Sequence, residues 1–229
     1  MRRRTMLVAS VTLSILIGLA PPAGGPVQLL GRESSLSRVA VISDSYTNGT
    51  DLGGHGSRGW PALAWQLLAA EGKPVAADVA AEGRAGYGVR GDQNSTFGDL
   101  TARAVRPDDA LVVFFGSRND QPLEPYEVGR LARSAYELAR GKAPNARLLV
   151  IGPPWPTADV PVRIRQIRDV LATVARAYGA RFVDPLAERW FVDRPDLIAV
   201  DGVHPTDAGH GYLAQRIAPL IAAELPAAR

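Results

Sequence analysis

Six consecutive apolar residues, Ala110-Leu111-Val112-Val113-Phe114-Phe115, constrain this chain more than any other feature. The run is rich in β-branched and aromatic residues, has no polar position, and reads as a strand buried on both faces. Shorter strands are predicted at Val39–Ile42, Val75–Ala81, Arg147–Ile151 and Arg181–Val183. Between them, apolar residues recur every three or four positions, the spacing of amphipathic helices. One such helix opens at Trp60-Pro61 with Trp60, Leu63, Leu67 and Leu68 on its apolar face. A second carries Val128, Leu131, Ala135 and Leu138, and a third carries Ile164, Ile167, Leu171, Val174 and Tyr178. The last begins near Thr206, an N-cap candidate, and presents Leu213, Ile217 and Leu220. The stretch between the second and third strands reads as irregular. This alternation predicts an α/β fold in three α/β/α layers, flavodoxin-like, around a five-stranded parallel sheet.

The 229 residues suffice for one domain with a substantial core. There is no cysteine, which removes disulfides, thiolate metal sites and cysteine nucleophiles. The N-terminus has the order of an export signal: basic Arg2-Arg3-Arg4, apolar Met6 to Ala20, then small residues. Residues 1–24 are therefore expected to be a signal peptide or a retained anchor, with a linker over 25–37 and the folded domain over 38–229. Those three arginines account for the whole formal excess of 26 basic over 23 acidic residues. The remainder is near neutral and shows no basic stripe, so nucleic acid is not an expected partner. The expected location is outside the cytoplasm or in the cell envelope, as a monomer, with membrane contact only through the N-terminal segment.

Ligands of an open parallel sheet bind outside the carboxyl ends of its strands. Asp44-Ser45 follows the first predicted strand, and Gly83-Arg84-Ala85-Gly86 the second. Gly116-Ser117-Arg118-Asn119-Asp120 follows the third, and Pro153-Pro154-Trp155 the fourth. Beyond the fifth, after a longer loop, comes Asp201-Gly202-Val203-His204-Pro205. A serine hydroxyl is a poor nucleophile at neutral pH unless a base stands within hydrogen-bond reach and a third group fixes that base's tautomer. The spacing of Asp201 and His204 lets the carboxylate meet Nδ1 and leaves Nε2 for Ser45. Attack on an acyl carbonyl creates an oxyanion, which needs preorganised donors. The candidates are the backbone N–H groups of Ser45 and Gly86 and the side-chain amide of Asn119.

These blocks resemble those of the SGNH (GDSL-type) hydrolase family. The matching segments are Ser43-Asp44-Ser45-Tyr46, Gly86 in EGRAGYG, GSRND at 116–120, and DGVHP at 201–205. The resemblance covers roughly residues 38–225. It implies an esterase or lipase with Ser45 as nucleophile, His204 as base, Asp201 as its orienting acid, and Ser45, Gly86 and Asn119 as oxyanion donors. No metal or organic cofactor is implied. Two departures stand out: Ser43 replaces the usual glycine, and Arg118 stands beside Asn119. Ser43 is a rival nucleophile by type, but its parity along the strand directs it elsewhere. Asp44 and Asp120 read as braces of their turns.

Tyr46, His55, Arg118 and Trp155 are candidates to touch substrate. His210 reads as structural, and His55, His204 and His210 show no metal-ligand spacing. The expected substrate is a small-molecule or envelope ester. An acyltransferase using the same acyl-serine, and a non-catalytic carbohydrate-binding domain, are the alternatives. The intact Ser45, Asn119, Asp201 and His204 set speaks against the latter.

Overall fold

The computed structural model describes residues 36–226. The expected signal segment and nearly all of the linker lie outside the described residues. Among the described residues, no helix is long and apolar enough to cross a membrane.

Five strands form one parallel sheet: β1 (Ser37–Ser43), β2 (Val75–Ala81), β3 (Asp109–Phe115), β4 (Arg147–Ile151) and β5 (Arg181–Val183). Their spatial order is β2-β1-β3-β4-β5. The chain leaves the middle of the sheet for one edge after β1, returns to β3, and then steps to the other edge. That reversal places the carboxyl ends of β1 and β3 side by side, with Ser43 opposite Phe115. It is the switch point at which such sheets bind ligands.

Residue alternation divides the core in two. Ala40, Ile42, Val112, Phe114 and Val150 face α3 (Phe97–Ala104), α4 (Pro125–Lys142) and α5 (Val162–Ala177). Val39, Val41, Leu111, Val113, Phe115 and Leu149 face α2 (Trp60–Ala70) and α6 (Asp207–Glu224). The continuous run at 110–115 is thus apolar because each half of it belongs to a different core.

Three expectations change. The irregular stretch contains α3, whose start is a capping box: Thr96 accepts from the Asp99 N–H and Asp99 accepts from the Thr96 N–H. In α2 the buried residues are Trp60, Pro61, Ala64 and Leu68, while Leu67 is exposed. In α4 they include Val128, Ala132, Ala135, Tyr136 and Ala139, while Leu138 lies at the surface. The reason is the same in both helices: small alanines let the neighbouring elements approach, so the buried line runs through alanine and turns larger leucines outward.

Candidate active site

Ser45 is the first residue of α1 (Ser45–Asn48), a single turn that begins where β1 ends. Asp44 caps that turn by accepting the Tyr46 N–H at 2.9 Å. Ser43, the residue in place of the usual glycine, is fully buried; its hydroxyl donates to the Phe115 carbonyl at 2.9 Å and accepts from Thr47 at 2.7 Å. Neighbouring serines therefore face opposite ways, one tying β1 to β3 and one standing at the sheet's rim.

The loop between β5 and α6 carries the partners. His204 Nε2 lies 3.1 Å from Ser45 Oγ, and His204 Nδ1 lies 2.5 Å from Asp201 Oδ2. The other Asp201 oxygen accepts the N–H groups of Val203 and His204 at 2.9 and 3.0 Å. Burial would raise the Asp201 carboxyl, but the backbone and ring hydrogen bonds from His204 and the Val203 N–H outweigh it and hold it below its ordinary value. An ionised carboxylate on Nδ1 selects the tautomer that leaves Nε2 as an acceptor facing the serine hydroxyl.

Tyr46 does not line an open surface. It is 2% exposed, and its hydroxyl donates to the Val203 carbonyl at 2.5 Å, so it braces the loop that carries His204. Burial pushes its pKa up to about 12, which keeps it a neutral donor. His55 stands on a loop facing Asp51 at 3.5 Å, with about half of its side chain exposed. His210 is buried in α6, and its Nδ1 accepts the Trp60 N–H at 3.2 Å. Desolvation lowers its pKa to about 4, so it is neutral.

The named oxyanion donors differ in availability. The Ser45 N–H has no acceptor among the described residues. Asn119 lies in the turn Arg118–Asp120 after β3; its amide donates to the Ala85 carbonyl at 2.9 Å and to Asp44 Oδ2 at 3.2 Å. The Gly86 N–H donates to the Val89 carbonyl at 2.9 Å, so it is already engaged. What the chain needs at Gly86 is the missing side chain, because a Cβ there would lie 2.4 Å from Asp120 Oδ1. Asp120 is fully buried and accepts from the N–H groups of Tyr87, Gly88 and Val89 at 2.7, 3.0 and 3.0 Å and from Ser117 Oγ at 2.5 Å. It pins the loop after β2 against the loop after β3.

Asp44 is the residue whose electrostatics sequence reading understated. It is 2% exposed, and burial drives its carboxyl from 3.8 up to about 7, against the Tyr46 N–H and the charge of Arg118. It touches both the serine turn and the Asn119 amide. Composition gave no signal of this, because the burial comes from β3 closing beside it.

Arg118 lies over Trp155, its guanidinium carbon 4.4 Å from the ring centroid. Beyond Trp155, a cavity of about 390 Å³ is lined by Pro156, Val192, Pro195, Ile198 and Gly202, the last within the Asp201–His204 loop. A second, of about 290 Å³, lies by Thr47, Gly59, Trp65 and Ala81. Among the described residues, no cluster of three or more His, Asp or Glu side chains could hold a metal ion.

The comparisons agree with this arrangement. The family described as GDSL-like lipase/acylhydrolase matches residues 44–212. GDSL lipase Rv0518 of Mycobacterium tuberculosis is 61% identical over 221 residues, which are 94% of this chain and 96% of that protein. The crystal structure of TesA superposes with a TM-score of 0.65 at 24% identity, over 82% of this chain and 100% of its own. The native aryl esterase of M. smegmatis does so at 0.59 and 17%, over 82% and 100%. These two likenesses bear on the fold, which is the three-layer sheet architecture described above. The chain belongs to the GDSL-like lipase/acylhydrolase family, serine hydrolases that act on ester bonds.

Proposed function

We propose that this chain is an exported ester hydrolase that works through an acyl intermediate on Ser45. The observation that carries the reading is the relay from Ser45 Oγ to His204 Nε2 at 3.1 Å and from His204 Nδ1 to Asp201 at 2.5 Å. In the first half-reaction Ser45 Oγ attacks the ester carbonyl carbon while His204 Nε2 takes its proton. Asp201 stabilises the imidazolium and holds the ring in register. The oxyanion is received by the Ser45 N–H, which has no acceptor among the described residues, and by the Asn119 amide, whose longer contact to Asp44 gives way to a full negative charge. Collapse expels the alcohol, which takes the proton from His204. Water then attacks the acyl-Ser45 carbonyl with His204 as base, and the acid leaves as the serine hydroxyl re-forms.

Ser45→Ala is expected to lower kcat on a small chromogenic ester by roughly four orders of magnitude or more, with an unchanged melting temperature. A fluorophosphonate should add one adduct to the wild-type protein, at Ser45, and none to the variant. Full activity in Ser45→Ala overturns the assignment. The export reading is supported by the basic, apolar and small-residue order of residues 1–24. Fractionation of the producing cell tests it: recovery of the protein in the cytoplasm alone contradicts it.

A further inference from the structure

Arg118 is set apart from the arginines around it. Arg58, Arg84 and Arg90, on the loops near the same rim, pair with Asp207, Asp92 and Asp99 at 2.8, 2.6 and 3.2 Å. Arg118 forms no ion pair among the described residues, and its Nη1 is buried without an acceptor. A buried cationic donor left unpaired is destabilising unless a partner arrives.

Neither nearby acid is that partner. Asp120 is saturated by three backbone N–H groups and Ser117. Asp44 accepts from the Tyr46 N–H and the Asn119 amide and forms no ion pair with Arg118 among the described residues. Meanwhile the charge of Arg118 is felt at both Asp44 and Tyr46, the residues on either side of Ser45. The guanidinium carbon lies over the Trp155 ring, 4.4 Å from its centroid, and the group also hydrogen-bonds the Tyr46 side chain; both restrain it, while Nη1 keeps no acceptor. The result is a restrained guanidinium with no ion pair among the described residues and one unsatisfied nitrogen, beside the reacting serine.

We propose that Arg118, held by Trp155, is a specificity-determining residue that receives a carboxylate carried by the ester substrate close to its scissile bond. The unsatisfied Nη1 can donate a charge-assisted hydrogen bond to a carboxylate, and lysine reproduces neither the planar geometry nor the packing on Trp155. Anionic monoesters are then preferred over neutral esters of the same size. The inference rests on Ser45 being the nucleophile, and it adds the substrate class.

The test is kcat/KM of the full chain on two matched pairs. With the charge on the acyl side, p-nitrophenyl hydrogen succinate is compared with p-nitrophenyl butyrate. With the charge on the alcohol side, p-acetoxybenzoate is compared with its methyl ester. In one pair the charged ester is expected to be favoured by about tenfold, the effect of one charge-assisted hydrogen bond. That ratio should fall to about one in Arg118→Gln and lie between in Arg118→Lys. If Arg118→Gln does not fold, the wild-type ratio itself should shrink as sodium chloride is raised, since Arg118 is only partly buried and its charge is screened while the anionic ester approaches. A ratio near one in both pairs, a ratio unchanged in Arg118→Gln, or one insensitive to salt overturns the proposal. Hydrolysis of the neutral esters that survives Ser45→Ala would instead overturn the reading on which it rests, so the two failures are distinct.

Discussion

Asp44 and Ser45 are adjacent, yet burial gives them opposite properties. The serine turns to the rim, while the carboxyl is enclosed and pushed up to about 7. Between pH 3.8 and about 7 the folded protein therefore keeps a proton that the unfolded chain releases. The folded state binds more protons in that window, so stability is lost as pH rises through it and the full penalty stands above pH 7. Asp44→Asn removes the titration while its side-chain oxygen can still accept the Tyr46 N–H. The melting temperature of the wild type minus that of the variant is expected to decline steadily as pH goes from 4 to 7, by calorimetry at matched ionic strength. A difference that stays flat or climbs over that range would contradict the buried carboxyl. At the same scale, the sequence pointed to Ser45, His204 and Asp201 by residue type and spacing, and the fold brings these three side chains within hydrogen-bond reach of one another. The engaged N–H of Gly86 and the buried hydroxyl of Tyr46 were not legible in sequence. Both depend on which way a loop turns, and no residue type encodes that.

Among the elements, α3 is the informative miss. Its two turns lie in a stretch dense with glycine and polar residues, and only Phe97, Leu100, Thr101 and Ala104 are buried. The signal was Thr96 followed three residues later by Asp99, a capping box in a stretch too short for helical periodicity to emerge. Thr96→Ala removes one side of that reciprocal pair and should cost about 1 kcal/mol, read as a lower urea midpoint with an unchanged slope. A shift within error would mean that the packing of Phe97 and Leu100 alone holds the helix. The leucines misplaced on α2 and α4 have a related origin. Periodicity marks an apolar stripe but ranks large residues first, whereas close packing of helix on sheet puts Ala64, Ala132 and Ala135 at the contact.

Across the molecule the sheet acts as a partition. Ile167 belongs to the core beneath α4 and α5, and Ile217 to the core beneath α2 and α6. Ile167→Val and Ile217→Val should each cost about 0.5–1.5 kcal/mol. Because the two share no packing partners, the double variant should equal the sum of the singles within about 0.5 kcal/mol in denaturant titrations. Coupling well beyond that would mean that the β3 backbone transmits strain between the layers. Both cores stop at the carboxyl ends of the strands, and there the loops bring Ser45, Asn119 and His204 to one rim.

From its residues alone, this chain determined the parallel three-layer architecture, its family and the identity of the groups at the rim, because apolar periodicity and residue type are local properties that survive unfolding. Tertiary structure alone decided which donors around Ser45 are free, that Asp44 is buried enough to titrate near neutrality, and that Arg118 lies over Trp155 with no ion pair among the described residues. Those properties arise from distances between segments far apart in the chain, and a carboxyl or a guanidinium acquires them only when folding has chosen what surrounds it.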